Sequence, residues 1–267
     1  TTENGQEQAK LNITAFAGQG QNELFIGKAP SLRATRLHGT SQDINTEAVK
    51  YWMPKMVLRR SGNDLSSTFV TVMEPYKGDN KLIAQVDLLK PADDGNVALQ
   101  ITYGDITDII LSSSDPAQPL TVNDITLHGR YGFIRLHQGE IAEMKLIGGT
   151  LLQKGDQQLT GSGPQTGVIN KVMRISEGDP YYAFVTDTIL TGDLAGQTLI
   201  VAHPDGTSHG YKIKEVNMDN QQSIILLDDM EPGWTIHADG SSTLDFYPFR
   251  DWNGDHHFRI DNIESRQ

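Results

Sequence analysis

The chain has 267 residues, no cysteine and a formal net charge of −12 at pH 7. The lack of cysteine excludes a disulfide-stapled scaffold, thiolate metal sites and a cysteine nucleophile. The acidic balance makes nucleic acid and anionic membranes poor partners, and no apolar run approaches the roughly 20 residues of a membrane-spanning helix.

Alternation of apolar and polar residues dominates the first part of the chain, which is typical of half-buried β-strands. A helical turn is predicted only over 44–52, where Pro54 closes it. The predicted strands of this part cover 11–17, 54–61, 66–74, 81–89, 96–104, 106–114, 124–139 and 141–149.

A glycine-rich segment, QQLTGSGPQTG at 157–167, divides the chain into two predicted parts. We predict an all-β protein with a large antiparallel sheet assembly over 1–162 and a smaller β-sandwich-like domain over 163–267. The later predicted strands cover 167–173, 181–187, 197–203, 209–217, 223–229, 242–249 and 256–262. Pairs that supply the positive φ angles of tight hairpins are Asp94-Gly95, Asp205-Gly206, Asp239-Gly240 and Asn253-Gly254.

The segment DWNGDHHF contains a candidate metal site. Asp251, Asn253 and Asp255 have the D-x-N-x-D spacing that opens a calcium loop. The glycine falls at the fourth place instead of the sixth, and Asn262 occupies the twelfth place, where a glutamate is required. We therefore favour a hairpin with Asn253-Gly254 at its tip, followed by a strand in which neighbouring histidines face opposite sides.

A second histidine pair, His203 and His209, flanks the segment PDGTS. A hairpin there would place the two rings across from one another. Zinc could use them together with Asp205, but this spacing forms no specific zinc motif, and a cross-strand pair is the favoured interpretation. No cofactor is predicted for this chain, and a metal ion is left as an open alternative.

Candidate carbohydrate-binding residues are aromatic or cationic. Trp234 and Trp252 stand beside predicted turns, so they are expected to be exposed and able to stack on a sugar ring. Arg130, Arg135 and His137 lie on the predicted strand 124–139, where they could meet acidic sugars; a solvated strand face is the simpler alternative. No G-x-S-x-G elbow and no P-loop occur.

The strand at 66–74 ends in the sequence Glu74-Pro75-Tyr76. Proline cannot donate to a sheet ladder, so Pro75 is predicted to end the strand. Glu74 is then expected at the rim of the sheet, in water or beside a backbone or arginine partner. This arrangement is structural and needs no catalysis.

The stretch RRSGNDLSSTFVTVMEPYKGDNKLIAQVDLL resembles the C-terminal β region of heparinase II/III-like polysaccharide lyases. That family has a strand of the type S-x-F-V-x-V-x-E-P-Y-x-G followed by a strand ending V-x-x-L. The matching residues are Ser67, Phe69, Val70, Val72, Glu74, Pro75, Tyr76, Gly78, Val86 and Leu89. Further matching segments are 28–36, 129–152, 167–172 and 199–216, so the resemblance runs over most of the chain, 23–262.

The resemblance implies an α/α toroid upstream in the same polypeptide, a central double-layered β-sandwich and a small C-terminal β domain. It also implies secretion or a periplasmic location in a bacterium, and cleavage of uronate-containing polysaccharides by β-elimination. The catalytic Tyr, Asn and His and the zinc site of the family lie mostly in the toroid or early in the β domain. None of them is matched here, so no catalytic residue is carried over.

We therefore predict that the chain is the C-terminal, mainly structural β portion of a polysaccharide lyase. Its partners would be the upstream toroid and the polysaccharide. The chain begins with Thr1 and a polar segment, as expected of a processed protein or a piece of a longer one. Two alternatives stay open: a stand-alone, non-catalytic carbohydrate-binding protein, and an enzyme with a site of its own.

Overall fold

The computed structural model describes residues 8–18, 20–31, 49–92, 94–228 and 230–267. These residues form 22 strands and one 3-10 turn, Ile175–Glu177, which confirms the predicted all-β class. The chain divides into two compact units, Thr1–Thr107 and Asp108–Gln267. The described residues contain no helix with the length and hydrophobicity of a transmembrane span.

The first unit is built from antiparallel strand pairs. Its strands are β1 (Ala9–Ala17), β2 (Gln21–Pro30), β3 (Trp52–Ser61), β4 (Phe69–Lys77), β5 (Gln85–Leu88) and β6 (Val97–Tyr103). Strand β1 pairs with β4, β2 with β3, and β5 with β6. Residues 44–48 of the predicted helical turn and residues 32–36 of the matching segment 28–36 lie outside the described residues.

Strand β4 does not end at Pro75, contrary to the sequence prediction. It continues to Lys77, and Pro75 lies opposite Leu11 of β1. The reason is that β4 pairs only with β1 in the described part of the chain, so its other edge can accommodate a residue without an N–H group. Alternation along β4 is as predicted, since the even-numbered positions are the more buried ones.

The second unit contains β7 from Asp108 onward and every later strand. The first of these are β7 (Ile106–Ser112), β8 (Leu120–Val122), β9 (Ile125–His137), β10 (Glu140–Lys154) and β11 (Gln157–Thr160). They are followed by β12 (Gln165–Val168), β13 (Lys171–Met173), β14 (Ala183–Thr186), β15 (Thr198–Ala202), β16 (Ser208–Asp219) and β17 (Gln222–Leu227). The last are β18 (Trp234–Ile236), β19 (Ser241–Leu244), β20 (Arg250–Asn253), β21 (His257–Ile260) and β22 (Ile263–Arg266).

A long hairpin organises the first sheet of this unit. Strands β9 and β10 pair from Ile125 and Lys154 to His137 and Glu140, and a tight turn joins them. Strands β7, β9, β10 and β11 are neighbours in that order, with β8 on β9 and β22 on β10. The hairpin turn is Gln138-Gly139, and both residues have positive φ, 53° and 87°, as a two-residue turn of this kind requires.

Two further sheets enclose the main core in a sandwich-like arrangement. A seven-stranded sheet has the order β12-β21-β15-β16-β17-β14-β13, and a three-stranded sheet has the order β18-β19-β20. Alternate residues of both sheets turn inward and form one hydrophobic cluster. All buried members of this cluster lie between Ile169 and Ile260.

The predicted division at 162 falls inside the second compact unit. The core of the predicted C-terminal domain does lie entirely after residue 162. The last strand, β22, however pairs with β10 of the sheet that precedes residue 162. Ile263 of β22 pairs with Ile147 of β10, and the Asn262 amide exchanges two 3.0 Å hydrogen bonds with the Gly149 backbone. Non-local pairing therefore joins the two predicted parts.

Candidate functional site

The two tryptophans predicted as an exposed sugar platform are buried, so that expectation of exposure is wrong. Trp234 is 0% exposed and Trp252 is 2% exposed. Alternation along β18 and β20 turns both indoles toward the seven-stranded sheet, where their large apolar area is removed from water. The indole N–H of Trp234 donates to the Tyr211 hydroxyl at 3.1 Å.

The predicted hairpin of His203 and His209 is present. Strands β15 and β16 pair so that Val201 lies opposite His209, and the N–H of His203 donates to the Thr207 carbonyl at 2.8 Å. The Nε2 atom of His203 lies 2.7 Å from Nδ1 of His209. His203 is buried, whereas His209 reaches the partly exposed rim of the hairpin.

A third histidine completes this cluster and was not predicted as part of it. Nδ1 of His256 lies 2.7 Å from Nδ1 of His203, and Nε2 of His256 lies 2.6 Å from the Ser242 hydroxyl. His256 is buried and His257 is exposed, which confirms that the neighbouring histidines face opposite sides. The signal was in the alternation, because His256 shares its parity with the buried Phe258 and Ile260.

We call Ser242, His256, His203 and His209 the histidine chain. Aromatic rings enclose its inner members: the His203 ring stacks on Trp252 with centroids 4.2 Å apart, and the His256 ring lies 4.2 Å from Trp234. Burial lowers the pKa of His203 to about 4, and burial also lowers the pKa of His256 to about 4. Both imidazoles are therefore neutral at pH 7.

Each contact in the histidine chain needs one proton and one lone pair. Two neutral patterns satisfy all three contacts: the Ser242 hydroxyl donates and every later bond runs toward His209, or every bond runs the other way. Because His203 uses its two ring nitrogens for different partners, the three rings do not converge on one point. Among the described residues, no group of three or more His, Cys, Asp or Glu side chains could hold a metal ion.

Asp205 anchors the hairpin turn beside the histidine chain. Its carboxylate accepts from the Thr207 hydroxyl and N–H at 2.5 and 3.0 Å, and from Arg250 at 2.8 Å. Hydrogen bonding from Thr207, and then the nearby indole N–H of Trp252, hold the pKa of Asp205 far below its usual range. The Trp252 Nε1 lies near this carboxylate without reaching good hydrogen-bond geometry. The turn is thus held by a group that is ionised at pH 7.

The cationic candidates on β9 occupy separate environments. Arg135 forms a two-pronged ion pair with the buried Asp108, Nε–Oδ1 at 2.7 Å and Nη2–Oδ2 at 2.8 Å. His137 is exposed at the end of β9. Arg130 is five positions from Arg135 and therefore projects from the opposite face of the strand. The predicted residues do not form one joint surface.

The calcium-loop candidates lie where the chain passes between two sheets. Asp251 and Asn253 belong to the extended strand β20, and Asp255 follows in the connection to β21. The favoured hairpin at Asn253-Gly254 is wrong, because β20 pairs with β19 whereas β21 pairs with β12 and β15. The Asp-Gly turns at 205–206 and 239–240 do join paired strands, as predicted.

Compared with known proteins, the chain matches no protein-family model and no curated protein. The resemblance of its motifs to heparinase II/III-like lyases therefore stays a prediction.

Proposed function

We propose that this chain is the C-terminal, mainly structural β region of a secreted or periplasmic bacterial polysaccharide lyase. The complete enzyme would cleave uronate-containing polysaccharides: a base removes the proton at C5, the bond from C4 to the glycosidic oxygen breaks, and a C4–C5 double bond forms. The catalytic groups would come from an α/α toroid upstream in the same polypeptide. The ordered series of matching motifs supports this proposal.

The observation that carries the proposal is the set of exposed apolar side chains on the described β2–β3 pair of the first unit. Leu24, Phe25 and Ile26 are consecutive residues of β2, and all are exposed, Ile26 by 77%. Successive strand residues face opposite sides, so both faces of the β2–β3 ribbon present apolar side chains. Exposed apolar patches of this kind mark interaction surfaces. In this proposal the upstream part of the polypeptide covers them. Further exposed apolar residues of the ribbon are Trp52, Met53, Met56 and Val57.

The Glu74-Pro75-Tyr76 motif fits a structural role. Glu74 is buried, and its Oε1 accepts from the N–H groups of Leu82 and Ile83 at 2.6 and 2.9 Å. A carboxylate that accepts hydrogen bonds from two backbone N–H groups fixes the segment after β4. This segment does not pair with β4 as a strand. The predicted backbone partner of Glu74 is thus present.

The proposal is tested by comparing this chain with the longer product of its gene. We expect only the longer polypeptide to form unsaturated uronate, measured by ultraviolet absorbance. Ile26→Ser should destabilise the longer polypeptide by about 1.5–3 kcal/mol, because the side chain is buried there, and should leave the stability of this chain nearly unchanged. Elimination by this chain alone, or a native polypeptide of only 29.4 kDa, would contradict the proposal.

A second candidate function is carbohydrate binding by a stand-alone protein. It is favoured by the loop between β19 and β20, where Phe246, Tyr247 and Phe249 are exposed, Tyr247 by 89%. Exposed aromatic faces can stack on sugar rings, and these residues replace the buried tryptophans as candidates. Tyr247→Ala should then remove retention on a glycan affinity gel, whereas Trp52→Ala should not. Unchanged retention of the Tyr247 variant would exclude this loop.

A further inference from the structure

A pocket of about 340 Å³ lies on the outer face of the seven-stranded sheet. Strand register places Thr166, Arg259 and Ile200 in one row across β12, β21 and β15, and Val168, His257 and Ala202 in the next row of the same face. Arg130 of β9 also lines this pocket. Ligand pockets commonly measure about 300–1,000 Å³, so the space suffices for a small organic group.

The pocket has more positive than negative charge. Arg130 and Arg259 share a single carboxylate, Asp261. Nε of Arg259 donates to Asp261 Oδ1 at 2.8 Å, whereas Nε of Arg130 is 3.8 Å from the same oxygen, too far for a hydrogen bond. Two guanidinium groups thus face one carboxylate in a protein whose overall charge is −12.

Arg130 is the unsatisfied member of this group. Its Nε is buried and has no hydrogen-bond partner among the described residues. Burial, and then the nearby charge of Arg259, lower the pKa of Arg130 against the opposing effect of Asp261, but arginine remains charged at every physiological pH. A buried donor without a partner costs free energy that an entering anion would recover.

The rest of the pocket is largely apolar. Ile200 and Ala202 of β15 lie beside Arg259 and His257 of the central strand β21, and Val168 of β12 lies on the other side of His257. A planar carboxylate can accept two parallel hydrogen bonds from one guanidinium, which a neutral hydroxyl cannot do. A ligand with one carboxylate and a ring of mixed polarity fits this arrangement.

We propose that this pocket binds a uronate residue of an acidic polysaccharide, with its carboxylate on Arg130 and Arg259 and its ring over Ile200. This inference rests on the proposed function and adds to it a non-catalytic substrate-binding site in the C-terminal unit. It assigns to Arg130 a role that Arg135 does not share, because Asp108 already occupies the Arg135 guanidinium.

The test is equilibrium binding of oligosaccharides of one length to the 267-residue chain. The acidic probes are hyaluronan, chondroitin sulfate, heparin and alginate oligosaccharides, and the neutral probe is a cello-oligosaccharide. We expect at least one acidic probe to bind and the neutral probe not to bind. Arg130→Gln should weaken that binding at least about tenfold, because a charge-assisted contact is lost. Arg250→Gln, the same charge change outside the pocket, should leave it unchanged.

A second variant keeps the test valid if loss of Arg130 disturbs the fold. Ala202→Glu places a carboxylate on the exposed pocket floor without removing any native contact, and it should also abolish binding. Equal binding of acidic and neutral probes, wild-type binding by both pocket variants, or no acidic probe bound by the wild-type chain would each overturn the proposal. Binding lost in Tyr247→Ala but kept in Arg130→Gln would assign the sugar to the aromatic loop instead.

Different results would contradict the proposed binding site and the proposed lyase function. If this chain binds a uronate probe through Arg130 while the longer polypeptide eliminates none, the site stands and the lyase assignment falls. If the longer polypeptide is an active lyase and Arg130→Gln leaves both KM and probe binding unchanged, the function stands and the site falls.

Discussion

The two units differ in whether a tryptophan side chain at the start of a strand is exposed or buried. Trp52 begins β3 of the first unit and is 54% exposed, whereas Trp234 begins β18 of the second unit and is fully buried. The difference is a facing sheet: the second unit folds two sheets over one core, whereas the β1–β4 and β2–β3 pairs of the first unit leave apolar side chains exposed.

This comparison teaches that the stability of the isolated chain resides mainly in the second unit. Burial of apolar area is the dominant favourable term in folding, and it requires a partner surface. Strand pairs without a covered face are marginal in water. The stability of the first unit therefore depends on the surface that packs against its strand pairs, whereas the second unit packs its own two sheets together.

The largest expected effect comes from the same substitution in the two units. Trp234→Ala should destabilise the second unit by about 3–5 kcal/mol, because it empties a packed site and removes the donor to Tyr211. Trp52→Ala should change the stability of this chain by less than about 0.5 kcal/mol. Urea unfolding followed by circular dichroism measures both. Equal effects would refute the contrast between the units.

Acid should weaken the second unit through the histidine chain. His203 and His256 have pKa values of about 4 in the folded protein against an ordinary 6.5, so the unfolded chain binds more protons between these pH values. This contribution to stability is complete above pH 6.5 and declines as pH falls toward 4, by about 1.4 kcal/mol per pH unit for each proton.

The same prediction can be checked residue by residue. Imidazole resonances of His203 and His256 should keep the shifts of the neutral ring down to about pH 5. Titration of both rings near pH 6.5 would contradict the neutral histidine chain. The pKa of the Asp205 carboxylate is lowered, so this group affects stability only below the pH range in which the histidines are followed. It therefore does not interfere with the histidine titration.

A smaller effect is expected at the inner end of the histidine chain. Ser242→Ala leaves Nε2 of His256 without its partner in the core and should cost about 1–3 kcal/mol. Ser208→Ala is the matched control, because Ser208 is exposed on β16, and it should be nearly neutral. If both serine variants had equal stability, the buried contact would contribute nothing measurable.

The smallest expected effect is local and lies in the first unit. Glu74→Ala removes the acceptor of the Leu82 and Ile83 amides, which should then exchange their hydrogens roughly tenfold faster. Glu74→Gln keeps an acceptor oxygen and should show a smaller change. Unchanged exchange in the alanine variant would show that Glu74 does not hold this segment.

Local pattern predicted much of the fold. Period-two alternation located most strands, and Asp-Gly pairs located the hairpins at 205–206 and 239–240. It also predicted that the His203 and His209 rings meet across one hairpin and that His256 and His257 face opposite sides. These features depend on neighbours within a few residues, where backbone geometry leaves few choices.

Partners distant in the chain could not be predicted in this way. Alternation separates two faces of a strand but does not say which face another sheet will cover, so Trp234 and Trp252 were expected outside. It could not bring His256 to His203, or pair Arg135 with Asp108, because those contacts cross 53 and 27 positions.

The sequence by itself determined that this chain is an all-β protein with its turns and alternating faces. Only the tertiary structure decided which aromatic rings are core, that three histidines and a serine form one buried chain, and that Arg130 and Arg259 meet at one pocket. The physical reason is that strand conformation is a local property of the backbone, whereas burial and charge pairing depend on which sheets pack together.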